Sequence, residues 1–222
     1  RRKIKTHKLF PRRGMIVIGL TGGIASGKST VSRLLAEMGA IILDADKVGH
    51  EALSPGTEAY REIVATFGEE VLLPEGQVNR KKLGEIVFNN PEALARLNRI
   101  MHPRMYRMME ERLEAYRRQG VPLVVLEAAV LLEAGWTPLV DQVWVTQVPA
   151  ETAIRRLVER NGFSEAQARA RVRSQLTPEQ RAQQADIIID ADCPIAQTER
   201  QVRELWQGIQ QSPPAGGRGL KR

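Results

Sequence analysis

Gly22-Gly23-Ile24-Ala25-Ser26-Gly27-Lys28-Ser29 matches G-x-x-x-x-G-K-[ST], the spacing of a loop that cradles phosphates. Glycines let the backbone turn sharply and bring its N–H groups against a polyphosphate. A helix starting there adds the positive end of its dipole. Gly23, Ile24, Ala25, Ser26, Gly27, Lys28, Ser29 and Thr30 are therefore the candidate nucleotide-phosphate contacts. Lys28 would set a cation against the β- and γ-phosphates. The Ser29 hydroxyl would complete the coordination of a Mg²⁺ that keeps most of its waters. The plainer alternative is a glycine-rich turn with a solvated lysine, but a helix start repels a cation unless an anion sits there. Ala25 is expected at ordinary backbone angles.

Two further groups could act on such a phosphate. Asp44 and Asp46 are two apart, and in an extended segment both would point to one face. A carboxylate there could take the proton of an attacking hydroxyl, worth about 10²–10⁴ in rate, or hold a water on Mg²⁺. The competing role is turn chemistry after a strand; Asp46 is the better candidate for a base. Arg155, Arg156, Arg160, Arg169 and Arg173 follow on two helices. Arg156 and Arg160, four apart, share a face. An arginine brought in at closure can stabilise the charge of a moving phosphoryl group by roughly 10³–10⁵ in rate. Glu151 and Glu159 are available for ordinary surface pairing; Arg156 and then Arg160 are the arginines expected to touch the nucleotide.

The elements that must carry these residues are legible from periodicity. Met15 to Leu20 reads as a buried strand and Thr30 to Met38 as a helix stopped by Gly39. Further strands are expected at 40–43, 121–127, 141–148 and 186–190. Residues 57–67, 81–88 and 91–118 read as helices, with a kink or new start at Pro103 and Asn90 as a cap before Pro91. Gly162 can end a helix, Ser164 and Gln167 form a capping box, and Thr177-Pro178 opens another helix. A last amphipathic helix covers 194–210. Strands alternating with helices predict an α/β fold, a parallel sheet with helices on both faces. Ligands of such sheets bind at the carboxyl ends of the strands, where the loop, Asp46 and Glu127 all fall. The long helical insertion is a candidate second-substrate domain, and the helices between strands four and five a candidate lid.

Composition limits the alternatives. The net charge of +7 belongs to the ends. Arg1, Arg2, Lys3, Lys5, Lys8, Arg12 and Arg13 precede the first strand, and Arg218, Lys221 and Arg222 close the chain. These ten of the 33 basic residues leave a body slightly acidic against its 26 acidic residues. The ends are expected to be disordered, so a nucleic-acid partner is not expected. Cys193 alone allows no internal disulfide. The longest apolar stretch, 122–136, is interrupted by Glu127 and Glu133 and is too short to span a bilayer. The arm has no apolar signal region; it is Arg-rich like a transit peptide, but Pro11 and scarce Ser speak against one, and a cytoplasmic location is expected. A guanine-reading Asn-Lys-x-Asp is absent, which excludes an ordinary GTPase.

The residues resemble those of the dephospho-CoA kinase family, from Met15 to about Trp206. The resemblance rests on Leu20 through Thr30, Asp44-Ala45-Asp46, Asn79-Arg80 with Ile86-Val87-Phe88, His102-Pro103, Leu131 through Gly135, Arg156 with Arg160-Asn161-Gly162, and Ala185-Asp186. It implies a P-loop fold of the nucleoside-monophosphate-kinase type and ATP-dependent phosphorylation of the ribose 3′-hydroxyl of dephospho-CoA, with Mg²⁺. On that resemblance Asp46, Lys28 and Arg156 are catalytic, Arg156 and Arg160 join the loop in binding ATP, and Asp46, Arg80, His102 and Arg104 line the acceptor side. Expected regions are a basic disordered extension over 1–14, a nucleotide-binding core over 15–55, 120–150 and 182–211, a helical CoA-binding domain over 56–119, a lid over 151–181 and a disordered tail over 212–222. Two departures stand out: Ala25 where the family usually has Gly, and Ala191-Asp192-Cys193 where it usually has Asn-x-Gly. Another small-molecule P-loop kinase is the alternative, and it would not need the Asp44/Asp46 and His102-Pro103 set.

Overall fold

The computed structural model describes residues 14–88 and 90–211. The basic arm before Gly14 and the tail over 212–222 lie outside the described residues. In chain order the elements are β1 (Ile16–Gly22), α1 (Lys28–Glu37), β2 (Ile41–Asp44), α2 (Ala45–Ala52), α3 (Glu58–Phe67), α4 (Arg80–Phe88), α5 (Pro91–Arg118), β3 (Leu123–Glu127), β4 (Gln142–Gln147), α6 (Ala150–Asn161), α7 (Glu165–Arg173), α8 (Pro178–Gln184), β5 (Ile187–Asp190) and α9 (Ile195–Gln211). They form two compact units, the chain up to Leu43 with the chain from Tyr116 on, and Asp44–Ala115.

The first unit carries the expected α/β sheet, in the order β2-β3-β1-β4-β5. β1 is parallel to β3 on one side and β4 on the other, and β4 is parallel to β5. Parallel strands covered on both faces need continuous apolar runs; Val17 and Ile18 point to opposite faces and both are fully buried. On one face Ile18, Leu20, Trp144 and Ile189 pack with Val31, Leu34 and Leu35 of α1 and Val202 of α9. The register has chemical consequences: Leu20 pairs with Glu127 and Gly22 with Thr146, so both partners flank the start of the phosphate loop.

The second unit is helical, with one isolated bridge between Leu72 and Val78. The long helix α5 buries Ala93, Ile100, Met101, Met105, Met109 and Leu113, a stripe at helical spacing. It runs on through Pro103, so of the expected kink or new start the new start is absent. The ring removes one ladder bond, and Met101 and Met105 on either side stay buried. The caps expected at Asn90, Ser164 and Thr177 are present: Asn90 accepts an amide at the start of α5, and Ser164 and Thr177 each complete a capping box. Thr57, read from sequence as the first helical residue, is instead the cap of α3, and Asn79 accepts an amide at the start of α4.

One local expectation fails. Asp44 to Asp46 is not extended: α2 starts at Ala45, and the Asp44 carboxylate accepts the N–H groups of Asp46 and Lys47 as its cap. Asp44 therefore does the turn chemistry, and Asp46 stands alone in the first turn.

Candidate active site

The loop between β1 and α1 turns on backbone that few side chains permit. Gly27 has φ of 88° and precedes α1 with no side-chain cap and no acidic residue in the first turn. The amides that start α1 are thus left for an anion. At Gly22 a Cβ would lie 2.2 Å from Thr146 Oγ1 and 2.7 Å from the Thr146 carbonyl, so only glycine fits beside β4. Ala25 corrects the expectation of ordinary angles: its φ is 58°, the left-handed region, which costs an L-residue about 1–2 kcal/mol. Its methyl packs with Val148, Ala153, Ala191 and Val172, an apolar contact that offsets part of this cost.

Three side chains from distant elements hold the loop. Gln175 Oε1, between α7 and α8, accepts the Ile24 N–H at 2.8 Å. Ser26 Oγ and Thr146 Oγ1 share a buried hydrogen bond of 2.7 Å. Arg156 of α6 donates to the Ala25 carbonyl at 3.1 Å and to the Ala191 carbonyl at 2.7 Å. The Ala191-Asp192-Cys193 segment therefore lies against the loop through its backbone.

Lys28, the first residue of α1, donates to Glu127 Oε1 at 2.5 Å, and Ser32 Oγ donates to the other carboxylate oxygen at 2.5 Å. Glu127 so neutralises a cation that the helix dipole disfavours. Ser29 is exposed, and Thr30 donates its N–H to the Gly27 carbonyl. No cluster of three acidic, His or Cys residues suited to a metal occurs among the described residues. Mg²⁺ takes only one or two protein oxygens and keeps its waters; the exposed Ser29 hydroxyl and the Glu127 carboxylate are donors of the type it takes.

The remaining arginines separate into different roles. Arg160 is exposed on the last turn of α6 and pairs with no described residue. Arg169 is committed to Glu151 at 2.9 Å and to Glu165 at 2.9 Å, and that hydrogen bonding lowers the Glu151 pKa. Arg173 lines a mostly apolar cavity of about 290 Å³ bounded by Gly23, Ile24, Thr146, Gln175 and Arg181. Arg181 is buried there, pairs with Glu133 at 3.3 Å and donates to the Leu176 carbonyl. Burial lowers its pKa, and the Glu133 carboxylate partly reverses this.

In the helical unit Asp46 is exposed, and its carboxylate has no partner among the described residues. Arg80, at the start of α4, is exposed and equally unpaired. Arg104 is held: it donates to the Ile100 carbonyl at 2.9 Å, bonds Glu62 and lies 3.7 Å from Glu58. With Arg107, Met108 and Glu111 it lines a groove of about 200 Å³. His102 is half-buried, and desolvation lowers its pKa.

The site thus brings the loop and Arg156 together in the first unit, and Arg104 with its glutamates in the second. Gln175, Thr146 and Ser32 carry no local motif, and their partners are far away in sequence; Arg181 joins distant Glu133 to the nearby Leu176 carbonyl. Glu127 is marked only by its place at a strand end.

Known proteins agree on the lineage. The dephospho-CoA kinase family model matches residues 16–197. The dephospho-CoA kinase of Geobacter sulfurreducens is 48% identical over 192 residues, covering 86% of this chain and 98% of that protein. That of Carboxydothermus hydrogenoformans is 44% identical, covering 86% and 93%. The structure of Campylobacter jejuni dephospho-CoA kinase superposes with a TM-score of 0.67 at 30% identity, over 87% of this chain and 96% of that one. A shikimate kinase from Acinetobacter baumannii, 16% identical over 88% and 93%, has a TM-score of 0.51 and shares the fold alone. With its phosphate loop built as described and its family model spanning most of its length, this chain belongs to the dephospho-CoA kinase family.

Proposed function

We propose that this chain transfers the γ-phosphoryl group of ATP to the ribose 3′-hydroxyl of dephospho-CoA, giving coenzyme A and ADP. The observation that carries the reading is the phosphate loop, with uncapped amides at the start of α1 and Lys28 poised on Glu127. In this reading Gly23 to Thr30 hold the triphosphate, and Lys28 turns from Glu127 to the β- and γ-oxygens. Arg156 and Arg160 face the nucleotide. Bound Mg²⁺, taken by Ser29, would neutralise charge between the β- and γ-phosphates. Asp46 accepts the proton of the ribose hydroxyl as its oxygen bonds to phosphorus; the bond from phosphorus to the β-γ bridging oxygen breaks and ADP leaves. The free carboxylate of Asp46 supports this role, since nothing described competes for its lone pairs. Arg80, His102 and Arg104 bind the acceptor.

No described helix is long and apolar enough to cross a membrane, and the proposed site of action is the cytoplasm, without nucleic acid. The test is ATP consumption by the purified protein with dephospho-CoA, nucleosides or shikimate as acceptor, with the product's phosphate located by ³¹P NMR. Turnover confined to dephospho-CoA supports the reading; turnover with shikimate and none with dephospho-CoA refutes it. Deleting residues 1–14 is expected to leave turnover unchanged.

A further inference from the structure

We infer that Gln175 is a positioning residue for the phosphate loop: its side-chain carbonyl holds the Ile24 amide and so keeps Ala25 in the left-handed conformation that nucleotide binding uses. The inference rests on the reading that this loop grips the triphosphate.

Ala25 is the one non-glycine residue with positive φ among the described residues. Such backbone is disfavoured for an L-residue by about five- to thirtyfold, and it persists where the surroundings over-determine it. Two peptide planes bracket Ile24 and Ala25. Gln175 pins the plane before Ile24 by its amide, and Arg156 pins the plane after Ala25 by its carbonyl. The turn's own hydrogen bond, from the Ser26 N–H to the Gly23 carbonyl at 3.1 Å, ties these two planes to each other, and the middle peptide between them selects ordinary or left-handed angles at Ala25. Gln175 and Arg156 hold that turn from outside, and releasing Gln175 leaves the Ile24 amide free to turn and the Ala25 amide free to leave its place.

Gln175 is itself well fixed. It sits between the end of α7, where Ser174 Oγ donates to the Arg171 carbonyl, and the capping box at Thr177. The neighbouring Leu176 carbonyl is held by buried Arg181, whose guanidinium would lie 3.3 Å from a Cβ built on Gly23. The strap between α7 and α8 thus meets the loop at Ile24, and Arg181 of α8 lies beside Gly23. Gln175 is neutral and its acceptor oxygen is spent on the amide, so it acts through the loop.

The test uses the full chain. In the wild type the Ile24 amide proton is expected to exchange slowly with solvent by NMR, a measurement that needs no variant; rapid exchange overturns the inference. Gln175→Ala is expected to speed that exchange and to weaken Mg-ATP binding by about five- to thirtyfold, the bias that the hydrogen bond opposes. Ala25→Gly placed in the Gln175→Ala background is expected to restore most of the affinity, because glycine adopts left-handed backbone freely. Unchanged affinity in Gln175→Ala, or no recovery in the double variant, overturns the proposal. Lys28→Met separates the two readings: if it both binds and turns over Mg-ATP like the wild type, the phosphate site lies elsewhere, whatever Gln175 does to the Ile24 amide.

Discussion

In the proposed function the phosphate loop and the helical unit would solve recognition differently. The loop is a backbone site. Gly22 leaves no room for a Cβ, Gly27 sits at a φ of 88°, and the loop's groups are already engaged: the Lys28 side chain by Glu127, the Ser26 hydroxyl by Thr146, and the Ala25 carbonyl by Arg156. The helical unit offers side chains scattered from residue 46 to residue 104, some free and some paired. Asp46 and Arg80 have no described partner, whereas Arg104 is tied to Glu58 and Glu62. A phosphate cradle must hold several donors in fixed relation, so it is built from neighbours in sequence and clamped. An acceptor site reads one particular molecule, so it can be assembled residue by residue.

That contrast can be broken at both ends. The largest effect is expected at the free carboxylate: Asp46→Asn should lower kcat by about 10²–10⁴ with ATP affinity unchanged, measured by coupled ADP release. Near-normal kcat would remove Asp46 as the base. Lys28→Met comes next, lowering kcat by about 10²–10³ as one charge-stabilising donor is lost. Because Glu127 is then left half-buried without its cation, the melting temperature should fall too, and Glu127→Gln in the same background should recover it. Arg104→Ala should raise KM for dephospho-CoA about tenfold or more, the worth of a charge-assisted hydrogen bond, with KM for ATP unmoved. A shift in both would mean that the two regions do not act separately.

The smallest effect concerns pH. His102 has a pKa lowered from 6.5 by burial, so the unfolded chain binds its proton more readily than the folded one. Its contribution is nil above 6.5, and it destabilises the fold as pH falls from 6.5 through the lowered folded value. His102→Gln is expected to flatten the loss of melting temperature between pH 7 and pH 5; an unchanged slope would assign that loss to other groups.

Much of the fold was legible because the relevant physics is local. The caps at Asn90, Ser164 and Thr177 and the glycine stop at Gly162 depend on residues three or four positions apart. Misreadings occurred where a nearby alternative competed. Asp44 turned out to cap a helix, which removed the extended geometry expected for the pair. No new helix starts at Pro103, where buried residues on either side keep α5 continuous. Ala25 reads as an ordinary alanine, since its turn is closed by a backbone bond that leaves no mark in residue type and is held from outside by Gln175 and Arg156.

From residue types and spacing alone came the phosphate-binding chemistry of 22–29, the α/β class and the lineage, because each depends on short-range order along the chain. The strand order was decided only by folding, and with it the company each reactive group keeps. Glu127 meets Lys28 across 99 positions, Arg156 reaches Ala25 across 131 and Gln175 reaches Ile24 across 151. Contacts at such separations follow from how buried strands and helices pack, and packing leaves no periodic trace in the residues that happen to touch.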